Sequence, residues 1–239
     1  MKFASYFSSV FSILEEIIHV LLPVRCANCG REISYALKQW LCYECISSLP
    51  ATDFHLVPLN PVFQLFMHHP EVKFATACYF FHHDGILQRI IHQIKYQHHQ
   101  QLARSMGRLM AQMLKPGLAS IDYIIPVPLH PRKERQRGYN QAAILAYGLA
   151  DDLQKPVIHH LLRRKKFTES QTRKGRQARQ QNVQHAFQLA AHANVLTGKH
   201  LLLIDDVVTT GATLNACIDT LIQLPGVQIS IATLAIAES

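Results

Sequence analysis

Residues 201–213 read LLLIDDVVTTGAT. The unbroken apolar start suits a strand buried on both faces, the habit of parallel sheets sandwiched between helices. Two adjacent aspartates then end the run, and a Thr/Gly-rich turn leads into a helical segment. Asp205 and Asp206 are expected to leave the sheet at its carboxyl edge, where ionised carboxylates act as pure acceptors and suit vicinal ribose hydroxyls. Thr209, Thr210, Gly211, Ala212 and Thr213 would present backbone N–H groups at a helix N-terminus, with threonine hydroxyls as further donors and Gly211 permitting close approach. That combination is an anion site. Together the two parts select a sugar 5′-phosphate with free 2′- and 3′-hydroxyls. The plainer alternative is a helix capped by its own threonines beside two surface aspartates, a poor use of paired acids at a strand end.

The remaining pattern supplies the sheet for such a strand. FATACYFF (74–81) has strand composition, and Ile86, Leu87, Ile90, Ile91 and Ile94 share one helical face over 85–94. A second helix is expected over 100–114, stopping at Pro116–Gly117. A strand at 121–127, a helix at 141–153, the strand at 201–204, a helix at 212–223 and a last strand at 227–237 complete the alternation. Strands alternating with helices imply βαβ crossovers and a mostly parallel sheet with helices on both faces. Ligands of such sheets bind beyond the carboxyl ends of the strands, where LLLIDDVVTTGAT has its acids.

Upstream, CANCGREISYALKQWLCYEC sets Cys26-x2-Cys29 and Cys42-x2-Cys45 twelve residues apart. Two such knuckles let four thiolates converge on one Zn²⁺ and leave no open coordination position, so the expected zinc is structural. Two disulfides or buried thiols are the competing readings. Tyr35, Trp40 and Tyr43 would supply the small apolar core of this ribbon, or else stack on unpaired bases. Cys78 and Cys217 lie in an apolar strand and an apolar helix and are expected in the core. These readings divide the chain into an N-terminal amphipathic helix (1–22), a zinc-binding module (23–50), a linker (51–72) and the α/β domain (73–239).

The charge is uneven. Of 24 Lys and Arg, thirteen fall between Arg132 and Arg179 against four acids. A local excess of this kind suggests a polyanion partner, with a solvated loop as the alternative. The stretch 163–182 has no apolar periodicity and reads as a basic hood with one aromatic, Phe167. The fifteen histidines show no metal-ligand spacing and are expected on the surface, where they would add charge below about pH 6.5. In the N-terminal helix, Phe3, Phe7, Val10, Phe11, Leu14, Ile17, Ile18, Leu21 and Leu22 follow helical spacing. One early lysine, internal Glu15, Glu16 and His19, and no A-x-A site argue against a signal peptide. Packing on its own protein is expected, with peripheral membrane contact as the lesser alternative. The chain is therefore placed in the cytoplasm, or near the inner membrane if that contact is made.

IDDVVTTGAT resembles the phosphoribosyl-pyrophosphate (PRPP) motif of type I phosphoribosyltransferases. PVPLHPRKERQRGYNQA (126–142) resembles the signature of the ComF (ComFC/GntX-like) family, as do the paired C-x2-C units and the run Thr168, Gln171, Arg179, Asn182, Phe187. The resemblance covers the chain from about Leu21 onward. It implies a type I phosphoribosyltransferase-like fold, with Asp205 and Asp206 on the ribose, Thr209–Thr213 on the 5′-phosphate, and Lys95 and Tyr96 at the pyrophosphate. Mg²⁺ would accompany PRPP. The family pattern has glycine two residues after the Lys-aromatic pair, and this chain has His98 there, which restricts the backbone turn. The resemblance further implies a part in natural transformation, handling incoming single-stranded DNA. Arg132, Lys133, Arg135, Arg137, Arg163, Arg164, Lys165, Lys166, Arg173, Arg176 and Arg179 are the expected phosphate contacts. Transfer of ribose 5-phosphate to a base is the alternative, although no nucleobase site is evident. A PRPP-sensing protein that recruits DNA-uptake, helicase or loading proteins is a third reading.

Overall fold

The computed structural model describes residues 24–34, 39–164 and 186–237. The amphipathic helix expected over 1–22, Tyr35, Phe167 and the hood cations Lys165, Lys166, Arg173, Arg176 and Arg179 lie outside them. The chain divides into two compact units, Met1–Leu49 and Pro50–Ser239.

The first unit is a short hairpin followed by a single helical turn and a half. Strands β1 (Val24–Arg25) and β2 (Glu32–Ile33) pair antiparallel, and Gly30 turns the chain between them with φ +73°. Helix α1 (Tyr43–Ser47) carries Cys45 inward, three residues after Cys42. The intervening Tyr43 therefore points outward and is 81% exposed. It supplies no core, contrary to the expectation from sequence. Leu41 is buried instead, and Trp40 is half-buried.

The second unit is built on a four-stranded parallel sheet. Its strands are β3 (Val72–Phe81), β4 (Tyr123–Pro126), β7 (His200–Val208) and β8 (Gln228–Ala237), in the order β3-β8-β7-β4. Leu201 to Ile204 have no exposure, as a strand covered on both faces requires. One face, with Ala75, Ala77, Ile125, Leu201, Leu203, Ile229 and Ile231, packs on Leu214, Cys217, Ile218 and Leu221 of a helix that follows β7. That helix is Ala212–Leu221. The opposite face receives two long helices packed on each other, Gln100–Leu114 and Gln141–Leu153. In chain order the helices of this unit are α2 (Pro61–Gln64), α3 (Ile86–Tyr96), α4 (Gln100–Leu114), α5 (Pro131–Arg137), α6 (Gln141–Leu153) and α7 (Ala212–Leu221). A small antiparallel pair, β5 (Leu162–Arg164) and β6 (Phe187–Leu189), completes the unit.

Local signals explain most of these elements. Leu87, Ile90, Ile91 and Ile94 bury one face of α3, and the His99 Nδ1 caps α4 by accepting from the Leu102 N–H at 3.2 Å. Asn140 caps α6 in the same manner, accepting from the Ala142 N–H at 3.1 Å. Helices α4 and α6 approach so closely that a Cβ on Gly148 would lie 2.1 Å from the Arg104 carbonyl oxygen, and one on Gly107 would lie 2.2 Å from the Leu145 oxygen. Asp151 joins the same pair of helices by accepting from both Arg104 and Arg108. Those guanidinium hydrogen bonds, Arg104 first, outweigh burial and hold its carboxyl at about 2.

Segment 51–72, expected as a linker, packs into the second unit. Asn60 organises it, accepting from the Val62 and Phe63 N–H groups and donating to the Phe54, Val57 and Ala75 carbonyls. Val62 and Phe66 are fully buried in the core beside α7. Cys78 and Cys217 are fully buried, as expected.

Candidate functional site

The carboxyl edge of the sheet is uneven, and that unevenness creates the site. Strand β4 ends at Pro126, paired with Ile204, whereas β7 continues to Val208 alongside β8. Asp205 and Asp206 therefore remain in the strand, rather than leaving it, but have no β4 partner beside them. The period-two pleat sends them to opposite faces. Asp205 follows Leu201 and Leu203 toward α7 and the β5–β6 pair. Asp206 follows Leu202 and Ile204 toward α3, and its Oδ2 lies 2.7 Å from the Lys95 Nζ. Each carboxylate also accepts one backbone N–H: Asp206 N–H to Asp205 at 2.9 Å, and Val207 N–H to Asp206 at 2.8 Å.

These surroundings treat the two acids differently. Burial, then repulsion from Asp206, pushes the Asp205 carboxyl up to about 8, only partly opposed by the Asp206 N–H, Lys95 and Arg164. Burial thus favours the protonated form of Asp205, whereas Asp206 is ion-paired with Lys95.

The turn after β7 leads directly into α7. Thr209, Thr210 and Ala212 are exposed, and Thr213 is half-buried. Gly211 occupies the N-cap with φ +72°, and a Cβ there would press to 3.1 Å from Phe66. Both backbone and space thus call for glycine, because a side chain would be strained in this left-handed geometry. The N-cap residue of α7, being glycine, offers no side-chain cap.

The segment 130–142 has a mechanical role that spacing did not disclose. The His130 Nδ1 caps α5 by accepting from the Arg132 N–H, and the helix ends at Gly138 with φ +74°. Tyr139 donates its hydroxyl proton to the Ile94 carbonyl, and the Arg137 guanidinium lies 5.5 Å from the Tyr96 ring centroid while bonding Gln141. Asn140 donates to the Val127 carbonyl at 2.9 Å. The R-G-Y-N string thereby fixes the end of α3, and with it Lys95, to the loop after β4. His98 adopts φ +56°, the left-handed geometry for which the family pattern uses glycine.

Among the expected DNA contacts, Arg132, Lys133, Arg135 and Arg163 are exposed; Arg137 is half-buried and engaged with Tyr96 and Gln141. Arg164 is also half-buried, with its guanidinium 5.5 Å from the Phe187 ring centroid. His130 lies among these charges. Burial and then the nearby Arg164, Lys133, Arg132 and Arg135 hold its imidazole below the ordinary range.

In the first unit, one ligand atom from each of Cys26, Cys29, Cys42 and Cys45 lies within 4.8 Å of the others, and all six cysteines of the chain are free thiols. Tetrahedral Zn–S bonds of ~2.3 Å place sulfurs ~3.8 Å apart; the Cys29 and Cys42 sulfurs are 3.7 Å apart. The Cys42 N–H donates to the Cys26 sulfur at 3.3 Å, and Asn28 donates to the Cys45 sulfur at 3.2 Å. Burial raises the Cys26 thiol, but backbone N–H groups of Cys29, Cys42 and Asn28 outweigh it and bring the thiol to about 6. The donor set and its spacing fit a divalent metal with closed tetrahedral coordination. No comparable group of three or more ligands occurs elsewhere among the described residues.

A parallel sheet with acids at its carboxyl edge and a Gly-led helix N-terminus defines a phosphoribosyltransferase-like protein. The phosphoribosyl transferase domain model matches residues 92–238. The chain belongs to that family, in the branch that contains the ComF proteins. It is 29% identical over 208 residues to competence protein F of Haemophilus influenzae, spanning 85% of this chain and 80% of that one. It is 30% identical over 193 residues to the DNA utilization protein YhgH of Escherichia coli K12, spanning 79% of each. Competence protein ComFC of Bacillus subtilis is 33% identical over 92 residues, 38% of this chain and 35% of that one.

Proposed function

We propose that this chain is a competence protein that handles incoming single-stranded DNA in the cytoplasm and carries a site for PRPP or a related ribose phosphate. The observation that carries the ligand half is the Asp206–Lys95 pair, with Asp205 next to it on β7, at the end of the strand that leads into the Gly211-led turn. Asp205 and Asp206 would accept from the ribose hydroxyls, and the N–H groups of Thr209–Thr213 would hold the 5′-phosphate. Lys95, released from Asp206 as the hydroxyls take over that carboxylate, would turn its charge to the ligand's anion with Tyr96 beside it. Mg²⁺ would accompany the ligand, held mainly by the ligand's own oxygens and water. The four cysteines would hold a structural zinc.

The DNA half is supported by the relatives named for competence and DNA utilization and by the exposed Arg132, Lys133, Arg135 and Arg163. Phosphate contacts of this type are independent of sequence and sensitive to salt. Among the described residues, no helix is long and apolar enough to cross a membrane.

The test is fluorescence anisotropy of a labelled single-stranded oligonucleotide titrated with salt, with and without Mg²⁺–PRPP. Binding that weakens steeply with salt, together with calorimetric binding of PRPP, is the expected result. No oligonucleotide binding at low salt would remove the DNA half. Pyrophosphate release on adding a nucleobase would move the reading to an enzyme.

A further inference from the structure

The sequence places Arg163 and Arg164 together as phosphate-tracking cations, but the pleat separates them. Arg163 is exposed, opposite the exposed Gln188. Arg164 lies directly opposite Phe187, on the inward face shared with Leu162, and its guanidinium rests against that buried ring. Its Nε is buried and has no acceptor among the described residues. Buried donors almost always find a partner, so an orphan one calls for an explanation.

Parity along β7 supplies it. Lys95 closes on Asp206 on one face of the strand. On the other face Asp205 lies within electrostatic reach of Arg164, with no ion pair formed between them. Arg164 also acts on His130, at the head of α5. Leu162 and Phe187, which flank Arg164 on the inward face, share a buried cluster with Leu203 and Val208 of β7 and Leu214 of α7, so the β5–β6 pair packs beside the end of β7. One acid of the pair is matched to its cation, and the other has a cation held back on an aromatic seat.

We propose that Arg164 is an anion-binding residue of the ribose-phosphate site, turning its guanidinium on Phe187 to donate to an anionic ligand oxygen held over Asp205. This assignment rests on the ribose-phosphate reading above and removes Arg164 from the DNA-facing set. A planar guanidinium suits a phosphate oxygen pair better than a lysine ammonium does. Its seat on Phe187 reduces the freedom lost on binding.

The experiment compares wild type, Arg164→Gln, Arg164→Lys and Arg163→Gln in the full chain. Ribose 5-phosphate, Mg²⁺–PRPP and pyrophosphate are titrated by calorimetry, and single-stranded oligonucleotide by anisotropy. Arg164→Gln is expected to weaken ribose 5-phosphate and PRPP by roughly tenfold to a hundredfold, the scale of a hydrogen bond to a charged group. Arg164→Lys keeps the charge without the fork and should fall between, which also covers the case in which the glutamine variant folds poorly. Arg163→Gln should show the opposite emphasis, losing about one unit of the oligonucleotide's salt slope.

Ligand affinities unchanged in both Arg164 variants would overturn the proposal. So would a loss confined to the oligonucleotide. If wild type binds pyrophosphate through Arg164 but neither PRPP nor ribose 5-phosphate, the ribose reading fails while Arg164 remains an anion ligand. Binding of none of the three small ligands overturns both.

Discussion

Replacing His98 with glycine should stabilise this protein, although glycine ordinarily costs stability. His98 has φ +56° in the three-residue connection between α3 and α4, and its exposed ring sits near Gly138 and tilted toward Tyr139, with ring centroids 6.4 Å apart. The left-handed region costs an ordinary L-residue about 1–2 kcal/mol, and histidine, which visits it more readily than most, belongs at the lower end. Glycine removes that strain but raises the entropy of the unfolded chain, worth about 0.4–1 kcal/mol in the other direction. The balance is a gain of at most about 0.6 kcal/mol, which for a chain of this size raises Tm by up to about 2 °C. Thermal unfolding followed by circular dichroism at pH 7.5 reads it. His98→Ala is the companion variant, because it deletes the ring and keeps the Cβ. The order expected is Gly above wild type, with Ala at or slightly below wild type. Gly melting no higher than Ala would show that the backbone here is not strained, and the reasoning would fail. The turn that glycine makes in the family pattern is made here without it, so Lys95 and Tyr96 still reach the carboxyl edge.

The Asp205 carboxyl predicts a pH dependence of definite sign. Its folded value of about 8 lies above the ordinary carboxylate range, so its contribution to stability is present at low pH and is lost as pH rises from about 4 through about 8. Asp205→Asn should therefore flatten the decline in Tm between pH 5 and pH 8.5 and raise Tm at the upper end. A variant whose pH profile parallels wild type would show that Asp205 is not the group titrating. The four-cysteine cluster predicts about one zinc per chain, read by atomic emission on protein purified without chelators. Cys42→Ser should lose it, and a wild-type zinc content near zero would exclude the metal.

Helices α4 and α6 begin at Gln100 and Gln141 and end at Leu114 and Leu153, matching the sequence reading, because their caps and apolar faces are local properties. Strand β7 runs four residues past its apolar core because β8 continues beside it, and no window around Asp205 contains that neighbour. Helix α5 carries no apolar periodicity. It is held by Pro131 at its start, the His130 cap and Gly138 at its end, so a hydrophobic pattern does not reveal it. The site shows the same division. Both acids and the glycine turn were legible as chemistry. That Asp206 meets Lys95 while Asp205 faces Arg164 depends on sheet parity and on where α3 and β5 return to the edge. Tyr43 fell on the wrong side because its neighbours Cys42 and Cys45 take the inward positions.

That parity also bears on how two anionic ligands would share one edge. Lys95 and Arg164 flank the acids, and Arg132, Lys133 and Arg135 influence His130, which Arg164 also influences. A ribose phosphate brings negative charge to this field, and single-stranded DNA brings more. If both draw on these cations, each should weaken the other, and linkage requires the two factors to be equal. Mg²⁺–PRPP would then lower oligonucleotide affinity and reduce its salt slope by the number of cations withdrawn from DNA phosphates. Unchanged affinity and slope would assign the α5 cations to DNA alone, facing away from the ligand. A rise in affinity would need a differential contact that charge does not supply, such as bound ligand ordering a DNA-facing segment; electrostatics alone predicts competition.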